Sequence, residues 1–101
     1  MSFVKVASKD ELREGTMRGV VANGVPVLLV NLQGTFYAIG NICTHMACKL
    51  SNGSLTGEIV QCSCHGSRFE VKTGKVAGGP AFKPETTYEV RVEGDQIQLK
   101  A

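Results

Sequence analysis

The side chains best suited to chemistry lie in two short stretches, CTHMACKL at 43–50 and QCSCHGSRF at 61–69. These stretches contain every cysteine and histidine of the 101-residue chain. Thiolates and imidazoles bind zinc and iron-sulfur clusters, so the composition of the two stretches predicts a metal centre. A structural zinc site uses four ligands, and here two potential ligands are left over. The six residues are Cys43, His45, Cys48, Cys62, Cys64 and His65.

The spacing of the ligands separates two kinds of metal centre. Cys43 and His45 form a C-x-H pair, and Cys62 and His65 form a C-x-x-H pair. C-x-H is tight for a structural zinc site, whose paired ligands are usually two to four residues apart. The tight spacing makes sense if each pair bridges two neighbouring metals, with thiolates on one ion and imidazoles on the other. A single zinc ion remains the alternative.

These motifs resemble the two ligand boxes of the Rieske iron-sulfur proteins. The boxes are CTHMAC at 43–48 and CSCHGS at 62–67, and TGKVAGGPA at 73–81 is similar to the glycine-proline loop that closes over the cluster in that family. The resemblance implies one 2Fe-2S cluster. Cys43 and Cys62 would ligate one iron, and His45 and His65 would ligate the other.

The resemblance also gives a role to the surplus cysteines, Cys48 and Cys64. In the Rieske proteins of cytochrome bc-type complexes, cysteines at these places form a disulfide that ties the two cluster loops together. Such a bridge would stabilise the chain by roughly 3 kcal/mol. The alternative is a pair of free buried thiols, because stable disulfides are unusual in reducing cytosol.

Residues around the expected ligands should tune the reduction potential. The family pattern places the hydroxyl of Ser67 where it can donate to a bridging sulfide, whereas Phe69 stands where bc-type proteins usually carry tyrosine. Met46 is expected to shield the cluster, and Gly66 to let the loops approach it closely. Pro80 belongs to the closing loop. Together these residues predict an intermediate potential, below that of the bc-type proteins.

The elements that must position these residues are short strands. The turn signals Asn23-Gly24, Gln33-Gly34 and Gly94-Asp95 predict three hairpins, and Ser8 with Glu11 predicts a capping box. The fold expected is all-β: a Rieske-like antiparallel β-sandwich or barrel made by the two ends of a single domain, 1–101. A small cluster-binding subdomain is inserted at about 41–75, with strands at 58–61 and 68–71, and a fixed loop follows at 78–84.

Composition excludes several classes of protein. A net charge of +2 without a basic stripe argues against nucleic acid, and no apolar run reaches the length of a transmembrane span. No signal peptide is evident, so a monomeric cytoplasmic protein without a membrane span is expected. Four protein ligands leave no open coordination position, which argues against an enzyme.

The function expected is one-electron transfer between a reductase and a terminal acceptor such as an oxygenase. Two alternatives remain: a respiratory or quinol-linked carrier, and a redox-sensing or regulatory Rieske-like module.

Overall fold

The computed structural model describes residues 3–45 and 47–101. Ten strands and two short 3-10 turns, Lys9–Glu11 and Leu50–Asn52, make up the regular structure of these residues. The strands are β1 (Phe3–Ser8), β2 (Thr16–Ala22), β3 (Val25–Leu32), β4 (Thr35–Gly40), β5 (Ser54–Thr56), β6 (Ile59–Gln61), β7 (Arg68–Glu70), β8 (Val76–Gly78), β9 (Thr87–Glu93) and β10 (Gln96–Lys100).

Six strands form the larger sheet, in the order β1-β10-β9-β4-β3-β2, and all of its pairings are antiparallel. The edge strands β1 and β2 also pack against each other, which almost closes the sheet into a barrel. The three predicted hairpins are confirmed. At Asn23 and Gly24 the φ angles are 51° and 80°, as the type I′ turns that suit hairpins require.

The smaller sheet is an insertion between β4 and β9. Those two strands pair through Ala38 with Tyr88 and Ile39 with Thr87, so the chain leaves the barrel and returns to it at one place. In between, β5, β6, β7 and β8 form an antiparallel meander. The sequence predicted β6 and β7 but missed β5 and β8. Each of the missed strands has only three residues, too few for a readable alternation.

Strand β3 explains how two cores fit into so small a chain. Val27 and Leu29 face the inside of the barrel, whereas Leu28 and Val30 face the inserted sheet, and all four are fully buried. A strand buried on both faces should carry a continuous apolar run, as VPVLLV does. The second core therefore joins the barrel to the subdomain that carries the cysteines and histidines.

The predicted capping box is present at the first 3-10 turn. The Ser8 backbone N–H donates to the Glu11 carboxylate at 2.7 Å, and this hydrogen bond lowers the pKa of Glu11. Within residues 3–45 and 47–101, no helix is long and apolar enough to cross a membrane.

Candidate metal centre

The two stretches that carry the cysteines and histidines fold into two loops with the same closure. In the first loop, residues 43–48, the Cys43 N–H donates to the Cys48 carbonyl at 2.8 Å. In the second loop, residues 62–67, the Cys62 N–H donates to the Ser67 carbonyl, also at 2.8 Å. The first loop follows β4, and the second connects β6 to β7. In both loops, a backbone hydrogen bond joins residues five positions apart and fixes the backbone from which the predicted ligand side chains extend.

A disulfide between Cys48 and Cys64 joins the two loops, with Cα atoms 6.4 Å apart. This is the pairing that the bc-type resemblance implied. With these two sulfurs bonded to each other, Cys43 and Cys62 remain as free thiols. The disulfide thereby accounts for the two surplus residues noted in the sequence and leaves four candidate ligands.

The structure brings the two histidines of that set together. The ring centroids of His45 and His65 are 5.1 Å apart, and the ring planes are inclined at 81°. The thiols of Cys43 and Cys62 are buried within the core that underlies the loops. The two predicted nitrogen ligands therefore lie side by side, and the two predicted sulfur ligands belong to one buried core.

The environment of His45 tests whether this set suits a metal. Its Nδ1 atom is buried and has no hydrogen-bond partner among the described residues. A buried nitrogen left unpaired costs about 1–3 kcal/mol, so such atoms usually have a partner or bind a metal. Two thiols and two imidazoles, one of which carries this unpaired nitrogen, fit the two-cysteine, two-histidine ligand set of a Rieske centre.

The glycine-proline loop packs directly against the second ligand loop. Gly79 has φ of +85°, and a Cβ at this position would lie 2.6 Å from the Ser67 Cα and 2.7 Å from the Gly66 carbonyl oxygen. Only glycine permits this approach. Two residues further on, the Ala81 N–H donates to the fully buried Ser67 hydroxyl at 3.2 Å. The exposed Pro80 lies between these two contacts.

A different set of contacts holds the first ligand loop. The Thr44 hydroxyl donates to the Lys83 carbonyl at 2.7 Å, and the Thr44 backbone N–H donates to the carboxyl group of Glu85. Gly40 leaves room for that carboxyl, because a Cβ there would lie 2.6 Å from the Glu85 Oε1.

Glu85 itself is an unusual residue to find in this position. It is only 7% exposed, and its Oε2 has no partner among the described residues. Burial raises the pKa of Glu85 to about 7, although the Thr44 hydrogen bond acts in the opposite direction. Glu85 was not among the residues that the sequence predicted for the site. No motif marks it, since its burial depends on the path by which the insertion returns to the barrel.

Of the two remaining predicted residues, Phe69 and Met46, the structure describes the first. Phe69 is fully buried in the same core as Cys43 and Cys62, so its ring packs within the cluster-bearing part of the molecule. Met46, expected to shield the cluster, lies outside the described residues.

Comparison with known proteins agrees with this geometry. The sequence model of the family described as "Rieske [2Fe-2S] domain" matches residues 2–94. Over 99 residues the chain is 37% identical to the ferredoxin component of the naphthalene 1,2-dioxygenase/salicylate 5-hydroxylase systems of Ralstonia sp. That match covers 98% of this chain and 95% of the relative.

Two solved structures extend the likeness to the fold. The ferredoxin of carbazole 1,9a-dioxygenase from Nocardioides aromaticivorans superposes with a TM-score of 0.93 at 32% identity, covering 98% of this chain and 97% of that one. A chain from the complex of reduced oxygenase and oxidized ferredoxin in carbazole 1,9a-dioxygenase gives a TM-score of 0.90 at 33% identity, covering 96% and 91%. Because the chains are covered almost end to end, the likeness includes both the barrel and the small sheet.

Proposed function

The chain belongs to the Rieske [2Fe-2S] family, and from that membership we propose that it is the ferredoxin of an oxygenase system, carrying single electrons from a reductase to a terminal oxygenase. Its cofactor is one Rieske-type 2Fe-2S cluster. Like the ferredoxin components it resembles, it is an electron carrier and not itself the enzyme.

The ligand assignment follows the two pairs of donors. Cys43 and Cys62 would hold one iron, and His45 and His65 the other. The observation that carries this proposal is the pair of imidazole rings 5.1 Å apart, one with a buried unpaired nitrogen, in the loops that also carry two buried free thiols. A bound cluster supplies reversible one-electron chemistry, and two neutral histidines in place of two thiolates raise its reduction potential.

The difference between the two histidines gives the direction of electron exit. His65 is exposed, whereas His45 is partly buried. The His65 ring edge is therefore the ligand that a partner protein can approach most closely. Transient redox partners bury less than about 1,200 Å², so a few well-placed side chains around this edge would be sufficient for docking.

Phe82 is our candidate for one of these side chains. It is 83% exposed, yet both of its neighbours are fixed: the Ala81 N–H bonds to Ser67 in the second ligand loop, and the Lys83 carbonyl bonds to Thr44 in the first. Because the backbone on both sides of this ring is tied to the two loops, little backbone entropy is lost when a partner covers Phe82. We include Phe82 in the proposed docking surface.

The remaining expectations belong to the same proposal. The carrier would act as a monomer in the cytoplasm, as one Rieske domain whose cluster-binding subdomain begins at about residue 41. The Cys48–Cys64 disulfide favours a second candidate, a quinol-linked carrier, because that bridge is a bc-type feature. A midpoint potential near the top of the Rieske range of about −150 to +300 mV would support this alternative.

Spectroscopy and electron transfer test the proposal together. The purified chain should be red-brown, contain acid-labile sulfide and give a Rieske-type EPR signal when reduced. With the reductase and terminal oxygenase of a naphthalene dioxygenase system, it should support turnover that saturates with its concentration. A colourless preparation that contains zinc and no sulfide would overturn the assignment.

A matched pair of variants tests the docking surface. Phe82→Ala should raise the concentration for half-maximal turnover about tenfold, since a central aromatic anchor contributes 1 kcal/mol or more. Val21→Ala removes another exposed apolar side chain, 67% accessible and located on the barrel strand β2. Val21→Ala should leave the concentration for half-maximal turnover unchanged. Equal effects of the two variants would exclude a specific role for Phe82.

A further inference from the structure

Three sulfur atoms converge beside the proposed iron ligands. The Sγ atoms of Cys48, Cys62 and Cys64 all lie within 4.8 Å of one another. Two of them form the disulfide, and the third belongs to a free thiol that the iron centre would use. Cys43, the other proposed sulfur ligand, is not part of this group. Cys62 therefore lies within reach of two different sets of partners.

The burial of these residues leaves one side of the group open. Cys62 is buried, Cys48 is partly buried, and Cys64 is exposed. An ion could enter from the Cys64 side and keep a water molecule there. Cys62 and Cys64 come from the second ligand loop and Cys48 from the first, so an ion bound to all three would join the loops as the disulfide does.

We propose that reduction of the Cys48–Cys64 disulfide creates a three-thiolate site for a soft divalent cation such as Zn²⁺, which takes Cys62 as its third ligand. A dithiol reductant supplies the two electrons. Its thiolate attacks one sulfur, the S–S bond breaks, and the reductant leaves as its own disulfide while Cys48 and Cys64 become thiols. Binding of the cation to the three sulfurs then releases three protons.

The distances suit such an ion. Zn–S bonds of about 2.3 Å place the sulfurs of a tetrahedral site about 3.8 Å apart. The Cys62 sulfur, within 4.8 Å of both others, would need to move by about 1 Å at most, and the Cys48 and Cys64 sulfurs would separate from bonding distance to about the same 3.8 Å. Thiolate sets of this kind select soft cations over magnesium or calcium. A fourth position is left for water on the exposed side.

The disulfide then has a chemical role as well as a mechanical one. While it is intact, Cys62 has only Cys43 and the two histidines as fellow ligands. When it is reduced, two new thiolates compete for a cation at the same sulfur. The oxidation state of the Cys48–Cys64 disulfide would thus decide whether the second ligand loop binds only iron. This inference depends on the three sulfurs and not on the electron-transfer role.

Cadmium titration of the full-length, iron-free chain tests the site, with folding checked by circular dichroism. The Cys43→Ser variant is the best background, because it disables the two-cysteine, two-histidine set and leaves the three sulfurs intact. Reduction of this variant with a phosphine, which supplies the same two electrons, should raise its Cd²⁺ affinity at least tenfold. A thiolate-to-cadmium charge-transfer band should appear with an intensity of three thiolates per ion.

The additional change Cys48→Ser leaves two thiolates, Cys62 and Cys64, so it should lower the Cd²⁺ affinity of the reduced protein and reduce its charge-transfer intensity from three thiolates to two. The wild-type chain gives a second readout that needs no variant: reduction should increase its charge-transfer intensity by about half, from two thiolates to three. The proposal is wrong if reduction leaves the affinity of Cys43→Ser unchanged, or if Cys43→Ser/Cys48→Ser binds as tightly as Cys43→Ser. Neither result depends on the Rieske EPR signal, so the two proposals can fail separately.

Discussion

The two ligand loops share a backbone closure but differ in what supports them. In each, the N–H of the first cysteine bonds to a carbonyl five residues later at 2.8 Å. The second loop is covered by Gly79 and by the Ala81 bond to Ser67, both from the glycine-proline loop. The first loop rests on the end of that segment, through Thr44 and its bonds to Lys83 and Glu85.

This difference gives the two proposed histidine ligands different surroundings. The first loop contacts a buried carboxyl group, and its histidine is partly buried with an unpaired Nδ1. The second loop presents an exposed histidine. Two loops with the same backbone closure thus differ in exposure: His45 lies partly within the protein, and His65 is open to solvent. Variants that disturb the contacts of one loop at a time should show whether the two loops depend on different contacts.

The largest effect is expected from Gly79→Ala, which acts on the second loop. The new Cβ would lie 2.6 Å from the Ser67 Cα, and alanine is strained at φ of +85°. Close contact with backbone and a left-handed conformation together should lower the free energy of unfolding by about 3 kcal/mol or more. Chemical denaturation of the holoprotein, followed through its visible absorbance, measures this loss.

Gly94→Ala is the matched control for the close approach. Gly94 also has positive φ, +60°, but a Cβ there would meet nothing within 4 Å. It should cost only the conformational strain, about 1–2 kcal/mol. Equal losses of unfolding free energy at the two positions would show that the close approach of the glycine-proline loop to Ser67 contributes nothing to stability.

The next effect concerns the first loop and depends on pH. Burial raises the pKa of Glu85 from 4.5 to about 7, so the folded chain binds this proton more tightly than the unfolded chain. Stability from this group is therefore fully present below pH 4.5 and is lost as the pH rises to about 7. Glu85→Gln has no such proton to lose.

Urea denaturation between pH 4.5 and pH 8 should therefore show that the free energy of unfolding of the Glu85→Gln variant rises relative to that of the wild type as the pH rises. A shift of this size corresponds to at most about 3 kcal/mol. Titration of the histidines is common to both proteins and cancels in the difference. Parallel stability curves would mean that the Glu85 carboxyl ionises as an exposed one does.

Smaller effects are expected from the side-chain hydrogen bonds that tie each loop. Ser67→Ala leaves the Ala81 N–H without its acceptor at a buried site, which should cost about 1–3 kcal/mol. Thr44→Val removes a donor at an exposed site, and water can replace it at the Lys83 carbonyl, so the loss should be about 0.5–1 kcal/mol. Thermal denaturation of both variants gives the comparison. The reverse order would indicate that the first loop is the more tightly held.

Residue types and spacing predicted much of this arrangement. The turn dipeptides predicted the barrel hairpins, because asparagine and glycine accept the positive φ that such turns need. The two ligand boxes placed His45 and His65 in corresponding loops, and the structure brings their rings to 5.1 Å. The cysteine pairing came from the family resemblance.

The supports of the loops could not be predicted in the same way. Glu85 and Thr44 are 41 positions apart in the sequence, and nothing in the pattern at either position shows that they meet. Their contact depends on where the insertion rejoins the barrel beside β4. The three-residue strands β5 and β8 were missed because they are defined by pairing with neighbours and not by their own periodicity.

The smallest expected effect is on the reduction potential, through Phe69. Its ring is fully buried in the core that contains Cys43 and Cys62, and bc-type Rieske proteins usually carry tyrosine at this place. A hydroxyl directed at a cysteine sulfur would stabilise the reduced state by about 0.5–1.5 kcal/mol, which for one electron raises the midpoint potential by about 20–60 mV. Phe69→Tyr should produce this shift in a redox titration followed by EPR. Phe36→Tyr adds the same hydroxyl to a partly buried ring of the barrel core and should leave the potential unchanged. If Phe69→Tyr does not shift the midpoint potential either, the Phe69 side chain does not face the cluster, and other residues set the potential.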